Sequence, residues 1–274
     1  MAKYTVIGGR GFVGSHIVAL LEHKGHEVYV PERNASELFE NHLGRVIYCA
    51  GNGDCANNYY AVLEANTLLL SKLLQHASFD NMVYVSSTRV YMNNDSANET
   101  DDLVITQKDQ RRLFNLTKLV SEELCLKSDR QVTVVRPSNI YGLALSSTLF
   151  LPSIIRHAIN NGEINMYVAP EYEKDYVSVN DVAQACTWLV DNDHLSKGIY
   201  NIAAGFNVTA KQIADVIQHE TNCEIHWHNV NFPREDFPVT CIEKISKINA
   251  DYKPQNVLDD LKIMIANYKN ELAN

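Results

Sequence analysis

A glycine-punctuated step, Gly8-Gly9-Arg10-Gly11-Phe12-Val13-Gly14, joins a short apolar stretch at residues 4–7 to a longer apolar run at 12–24. The first stretch reads as a strand and the second as a helix stopped by Gly25. Gly8, Gly11 and Gly14 have the spacing that lets backbone turn tightly, approach a pyrophosphate and pack the helix on the strand. The N–H groups at the start of that helix then face the phosphates. Dinucleotide binding through Gly8, Arg10, Gly11, Phe12, Val13 and Gly14 is the reading that this placement supports, against a purely structural turn.

The same alternation runs on through the chain. Strands are predicted at residues 27–30, 45–50, 82–86 and 132–136, with helices at 58–78 and 111–126 between them. Strands alternating with helices mean a parallel sheet covered on both faces, and the near-continuous apolar character of these strands agrees. The expected fold is therefore α/β, a Rossmann-type doubly wound parallel sheet with a smaller interleaved C-terminal substrate lobe. Residues 1–145 plus 181–204 are assigned to the dinucleotide-binding domain, and 146–180 plus 205–274 to the lobe. Short strands mix with helices in the lobe, one helix opened by a Thr209/Gln212 capping box.

Fifteen residues separate the second strand from Val46, and they look helical. No strand is expected between the second strand and the one at 45–50. The second strand runs into Glu32 and Arg33. A carboxylate there accepts hydrogen bonds from the ribose hydroxyls of NAD, whereas a guanidinium pairs with the extra phosphate of NADP. Arg10 adds a second positive charge on that side, so NADP is favoured over NAD. A simpler reading is that one arginine merely pairs with Glu32.

Composition excludes several classes. A net charge of -9 repels nucleic acid and anionic membranes, and no apolar run is long enough to cross a bilayer. The first strand is predicted from residue 4, so no targeting segment is expected. Six scattered cysteines without a CxxC pair predict reduced thiols in a cytoplasmic protein. His226-Trp227-His228 lies in an alternating run without an acidic or thiol cluster, so a surface strand is expected there and no metal site.

Several stretches then fit one family. GGRGFVGSH, VIYCAG, EANTLLLSKLL with Asn66, VSSTRVY, FNLTKLVSEE, RPSNIYG, KDYVSVNDVA and GIYNIAAG occur in an order that resembles the extended short-chain dehydrogenases, in particular the nucleotide-sugar epimerase, dehydratase and reductase group. The resemblance implies a nicotinamide cofactor, with Ala50 and Gly51 against it, and a nucleoside diphosphate sugar as substrate. It implies a Ser or Thr at Ser87 and a lysine at Lys118 acting at the sugar, the lysine also holding the nicotinamide ribose. It implies substrate contacts from Asn139, Lys174 and Arg234, and a homodimer paired through the helices at 58–78 and 111–126.

One position departs from the pattern. Phe114 stands where that group has the tyrosine of YxxxK, and no tyrosine lies between Asp101 and Lys118 to take over. A phenyl ring neither donates nor accepts the proton that hydride transfer to a ketone requires, a loss of about 10²–10⁴-fold in rate. Thr88 and Arg89 replace the acidic pair of the dehydratase branch, which argues against a 4,6-dehydratase. Two readings stay open: an NAD(P)-dependent ketoreductase or epimerase, favoured by the retained Lys118, and a catalytically weak or inactive member that binds cofactor or sugar nucleotide as a regulatory or partner subunit.

Overall fold

The computed structural model describes residues 1–33, 35–145, 147, 149–192, 194–195, 197–229 and 235–272. Six strands form one parallel sheet: β1 (Lys3–Ile7), β2 (Glu27–Tyr29), β3 (Arg45–Tyr48), β4 (Asn81–Val85), β5 (Val132–Pro137) and β10 (Gly198–Ile202). Their spatial order is β2-β1-β3-β4-β5-β10. The chain leaves β1 for the edge strand β2 and returns on the other side of β1 as β3. That reversal opens a crevice beyond the carboxyl ends of β1 and β3, where open α/β sheets bind ligands.

Both faces of the sheet are covered, for the reason the apolar strands foretell. Tyr4, Val6, Ile47, Val83 and Val135 pack against Ile17 and Leu21 of α1 (Phe12–His23) and Val182, Cys186 and Leu189 of α7 (Val179–Asp191). Ile7, Val46, Tyr48, Met82, Tyr84 and Val134 face the other way, onto Leu38, Leu70, Leu73 and Cys125. The link between β2 and β3 is one short helix, α2 (Glu37–Glu40), and β2 pairs with no further strand among the described residues.

The helix expected over 58–78 is α3 (Tyr59–Leu63) and α4 (Leu69–His76), joined by a π-type turn at Glu64–Leu68. Such turns insert one residue per turn and are frequent at functional sites. This one sets Asn66 fully inside, where its Nδ2 donates to Thr117 Oγ1 at 3.0 Å and its Oδ1 accepts from the Asn52 N–H at 3.0 Å. One side chain thereby ties the loop after β3 to α5 (Arg112–Lys127).

Beyond β5, β6 (Asn139–Tyr141) runs beside β9 (Tyr176–Ser178), and β7 (Glu163–Met166) beside β12 (Glu224–Trp227). β8 (Glu173–Lys174) pairs with β11 (Val208–Thr209). A separate apolar cluster joins Ile155 of α6 (Phe150–Asn161), Ile213 and Ile217 of α8 (Ala210–Thr221), and Leu261, Ile265 and Tyr268 of α10 (Val257–Leu272), while α9 (Glu243–Ile248) packs against β10. The Thr209/Gln212 capping box opens α8 as expected. Buried Asp175 fastens this lobe to the sheet. Its Oδ1 accepts from Ser138 Oγ at 2.5 Å and from the Ala204 N–H at 2.9 Å, and its Oδ2 from the Gly205 N–H at 2.7 Å. No helix of the described residues is long and apolar enough to cross a membrane.

Candidate functional site

The glycine step folds as a cradle. Gly8 has φ +86, and a methyl group on it would come within 2.6 Å of the Ala50 nitrogen, while one on Gly14 would come within 2.2 Å of the Gly8 carbonyl. Only glycine permits that contact of β1, β3 and α1. No side chain caps α1 at Gly11, so the N–H groups of its first turn stay available to an anion. These residues, with Ala50 and Gly51 at the end of β3, fit a dinucleotide pyrophosphate.

At the tip of β2 the structure pairs Arg10 with Glu32. Arg10 Nη2 donates to Glu32 Oε1 at 2.7 Å and Nη1 to the Pro31 carbonyl at 3.2 Å, both side chains lying largely in solvent. Arg33 forms no ion pair among the described residues. The simpler sequence reading, one arginine on Glu32, is therefore realised, and the second arginine is left over.

The positions that the sequence marks as candidate catalytic residues lie where α5 passes the carboxyl ends of β3 and β4. Lys118 is 4% exposed, and its Nζ donates to the Val85 carbonyl at 2.9 Å. Burial pushes its pKa down to about 8, the charge of Glu122 opposing this only in part. Gly51 lies beside it: a methyl group there would sit 3.7 Å from the Lys118 Nζ. Ser87 caps a single 3₁₀ turn at Thr88–Tyr91, its Oγ accepting from the Arg89 N–H at 3.1 Å. The half-buried Phe114 ring stands between two cations, 4.8 Å from the Arg111 guanidinium carbon and 5.7 Å from Lys118 Nζ. Tyr91, the nearby tyrosine of VSSTRVY, is committed elsewhere: it accepts from Arg136 Nη1 and donates to Asn201 Oδ1.

The expected substrate contacts fare unequally. Asn139 Nδ2 donates to the Asp175 carbonyl at 2.8 Å. Lys174 is turned among Tyr172, Phe237 and Glu235, its Nζ 3.7 Å from Glu235 Oε2. Burial brings its pKa down to about 8 against the pull of Glu235. Glu235 is the acid that meets it, while the adjacent Glu173 accepts from Asn207 Nδ2 at 3.4 Å. Arg234 lies outside the described residues. His226 stands in β12 beside Glu163 and Glu224, and no group of three or more His, Cys, Asp or Glu among the described residues could hold a metal.

Sequence reasoning misses the polar hub of the cleft. Arg89, 8% exposed, places Nη2 2.8 Å from Asp109 Oδ1 and 2.9 Å from Glu235 Oε1. Burial works against the Glu235 charge, but Arg89 outweighs it and holds the carboxyl below its ordinary range. Residues 89, 109 and 235 are too far apart in the chain for any local pattern to join them. Arg111 is different. It stands one helical turn before Phe114, and that spacing was available as a signal.

Comparison with known proteins agrees with this geometry. A family model described as the NAD dependent epimerase/dehydratase family matches residues 4–203. Among curated proteins, a UDP-N-acetyl-alpha-D-glucosaminuronate decarboxylase of Bacillus cytotoxicus is 22% identical over 271 residues, covering 85% of this chain and 84% of that protein. A dTDP-4-dehydro-6-deoxy-D-allose reductase of a Streptomyces species is 24% identical over 259 residues, covering 77% and 79%. Among solved structures, MoeE5 in complex with UDP-glucose and NAD superposes with a TM-score of 0.82 at 18% identity, over 99% of this chain and 100% of that one. A UDP-N-acetylglucosamine 4-epimerase of Methanobrevibacter ruminantium M1 superposes at 0.81 with 16% identity, over 98% and 99%.

The buried ammonium has a measurable consequence. Between its folded pKa of about 8 and its ordinary value of 10.5, the unfolded chain holds more protons at Lys118 than the folded one. Stability from this group therefore rises with pH across that window. The parent protein should gain about 3 kcal/mol over a Lys118→Met variant between the lower and upper ends of the window, read by urea unfolding at each pH. A stability difference that does not change with pH would mean the ammonium is not desolvated.

Proposed function

The chain belongs to the NAD-dependent epimerase/dehydratase family, and from that premise we propose that it moves a hydride between a nicotinamide cofactor and one carbon of a nucleoside diphosphate sugar, as a ketoreductase or an epimerase. The observation that carries the reading is Lys118, an ammonium buried beside Gly51 with one backbone carbonyl as acceptor. Burying a charge with so little compensation is costly, and structure alone gives no reason to keep it. The names of similar proteins support the same substrate class, MoeE5 having been solved with a UDP-sugar and NAD.

Gly8, Gly11, Gly14 and the start of α1 would hold the pyrophosphate, and Ala50, Gly51 and Lys118 the nicotinamide end. The bound nicotinamide supplies reversible uptake and return of a hydride. Near the tip of β2 Arg10 pairs with Glu32 and Arg33 follows it in the chain, and this excess of positive charge is our ground for favouring NADP over NAD. Asn139 and Lys174 are assigned to the diphosphate side of the substrate. Arg234 is assigned there too on the sequence pattern alone. Ser87 Oγ accepts from the Arg89 N–H, which leaves its own hydrogen to donate to a sugar oxygen. The Lys118 ammonium stabilises the alkoxide that forms there, Ser87 passes its hydroxyl proton to that oxygen, and Ser87 regains a proton from solvent through a water beside Lys118. The missing phenol lowers the rate that this arrangement attains.

Phe114 favours one other reading, a member that binds cofactor or sugar nucleotide without turning it over. One experiment separates the two. A panel of nucleotide sugars and their keto forms is incubated with NADPH or NADH deuterated at the hydride-donating carbon and followed by mass spectrometry. Deuterium in one sugar is the result expected of a reductase and identifies the cofactor. An unlabelled stereoisomer as product marks an epimerase. Neither product, with cofactor and sugar nucleotide both bound, would overturn the enzymatic reading in favour of the second.

Outward on the two helices beside the site lie Tyr60 (76% exposed), Leu63, Leu68, Leu116 and Val120. We assign this face to a second copy of the chain, since a two-fold axis between the helices buries the same apolar patch on both partners. The six cysteines are free thiols, which suits the cytoplasm. Sedimentation equilibrium should give a dimer for the parent protein and a monomer for Val120→Asp. A monomeric parent would contradict the assignment.

A further inference from the structure

A cavity of about 610 Å³ opens between the segment holding Lys108 to Arg111 and the segment holding Tyr167 to Tyr172, closed on a third side by Arg89 and Glu235. Its charged groups are not equivalent. Arg89 is neutralised twice over, by Asp109 at 2.8 Å and by Glu235 at 2.9 Å. Those two acids are themselves fully engaged. Asp109 Oδ2 accepts from Asn115 Nδ2 at 2.9 Å, and Glu235 Oε2 accepts from the Tyr172 hydroxyl at 3.1 Å with Lys174 Nζ 3.7 Å away.

Two cations of the lining, Lys108 and Arg111, form no ion pair among the described residues, and of the two Arg111 stands next to Phe114. Its backbone N–H bonds Asp109 at 2.8 Å, but among the described residues its guanidinium forms neither an ion pair nor a hydrogen bond. Its side chain is exposed and lies over one ring, the guanidinium carbon 4.8 Å from the Phe114 centroid, with Gly53 close to Nη2. A guanidinium laid on a ring keeps its N–H edge free, and that edge is the one that takes a carboxylate through two parallel bonds.

Its position says which anion. The pyrophosphate of the cofactor belongs to the glycine step, and the substrate diphosphate is assigned to Asn139 and Lys174. Arg111 immediately precedes α5, three residues before Phe114, the position beside the reacting sugar. We propose that Arg111 binds a carboxylate carried by the sugar, so that the substrate is a nucleoside diphosphate uronic acid. This rests on the nucleotide-sugar reading above and narrows it.

Calorimetric titration of the cofactor-loaded protein with UDP-glucuronic acid, UDP-glucose and UDP tests it. The parent should bind UDP-glucuronic acid about 10- to 100-fold tighter than UDP-glucose, the range a charge-assisted bidentate pair supplies. Arg111→Gln should remove that preference while leaving UDP-glucose and UDP as before, and Arg111→Lys should restore part of it. An equal loss for all three ligands in Arg111→Gln overturns the proposal, because the arginine then serves the diphosphate or the fold. So does a parent protein that binds the two sugars alike. If the parent binds none of the three, the nucleotide-sugar reading itself fails and takes the proposal with it.

Discussion

The buried carboxylate of Glu122 holds the site together. It is 2% exposed and takes Arg136 through two bonds, Nε to Oε1 at 3.0 Å and Nη2 to Oε2 at 2.5 Å, with the Ser86 hydroxyl as a third donor. Arg136 stands in β5 and Ser86 directly follows β4, so one residue of α5 is pinned to the ends of two strands. Removing one partner of such a buried pair typically costs about 3–5 kcal/mol, because the survivor is left charged and unmatched. The register of α5 is therefore fixed. Phe114, Lys118 and Glu122 are spaced by four residues each, so they share a face and the anchor sets the height of the other two.

A second tie comes from the π-type turn around Asn66. By opening the helix locally it brings one amide to Thr117 on α5 and to Asn52 in the loop after β3. Gly51 and Gly53 then lie against Lys118, Arg111 and Phe114. Position 114 is thus a ring edged by cations and covered by backbone. A hydroxyl is what the family pattern would place there. The proposed chemistry instead depends on positive charge arranged around the spot where a sugar oxygen becomes negative.

Much of the cofactor half was legible in the chain. The glycine step, the buried strands and the missing strand beyond β2 each follow from a local pattern or a segment length, and local geometry enforces them in the fold. So does the capping box at Thr209. The substrate half was legible only in part. Lys174 was assigned a diphosphate, but an acid 61 positions away, Glu235, sits against it. Arg89 carries no local signal of the two carboxylates that enclose it, since Asp109 and Glu235 reach it through tertiary packing. The π-type turn was equally hidden, because a long apolar helix reads the same with or without one extra residue in a turn.

The account stands on hydride chemistry surviving the loss of a phenol. The most direct measurement is single-turnover absorbance of the nicotinamide, with cofactor-loaded protein mixed against the sugar nucleotide it binds most tightly, for the parent chain and for Phe114→Tyr. The account predicts a reduced or oxidised nicotinamide signal in the parent, with its rate raised by the tyrosine variant. No signal from the parent, with both ligands bound and Phe114→Tyr alone active, would contradict it: the cleft would then bind a nucleotide sugar without transforming it.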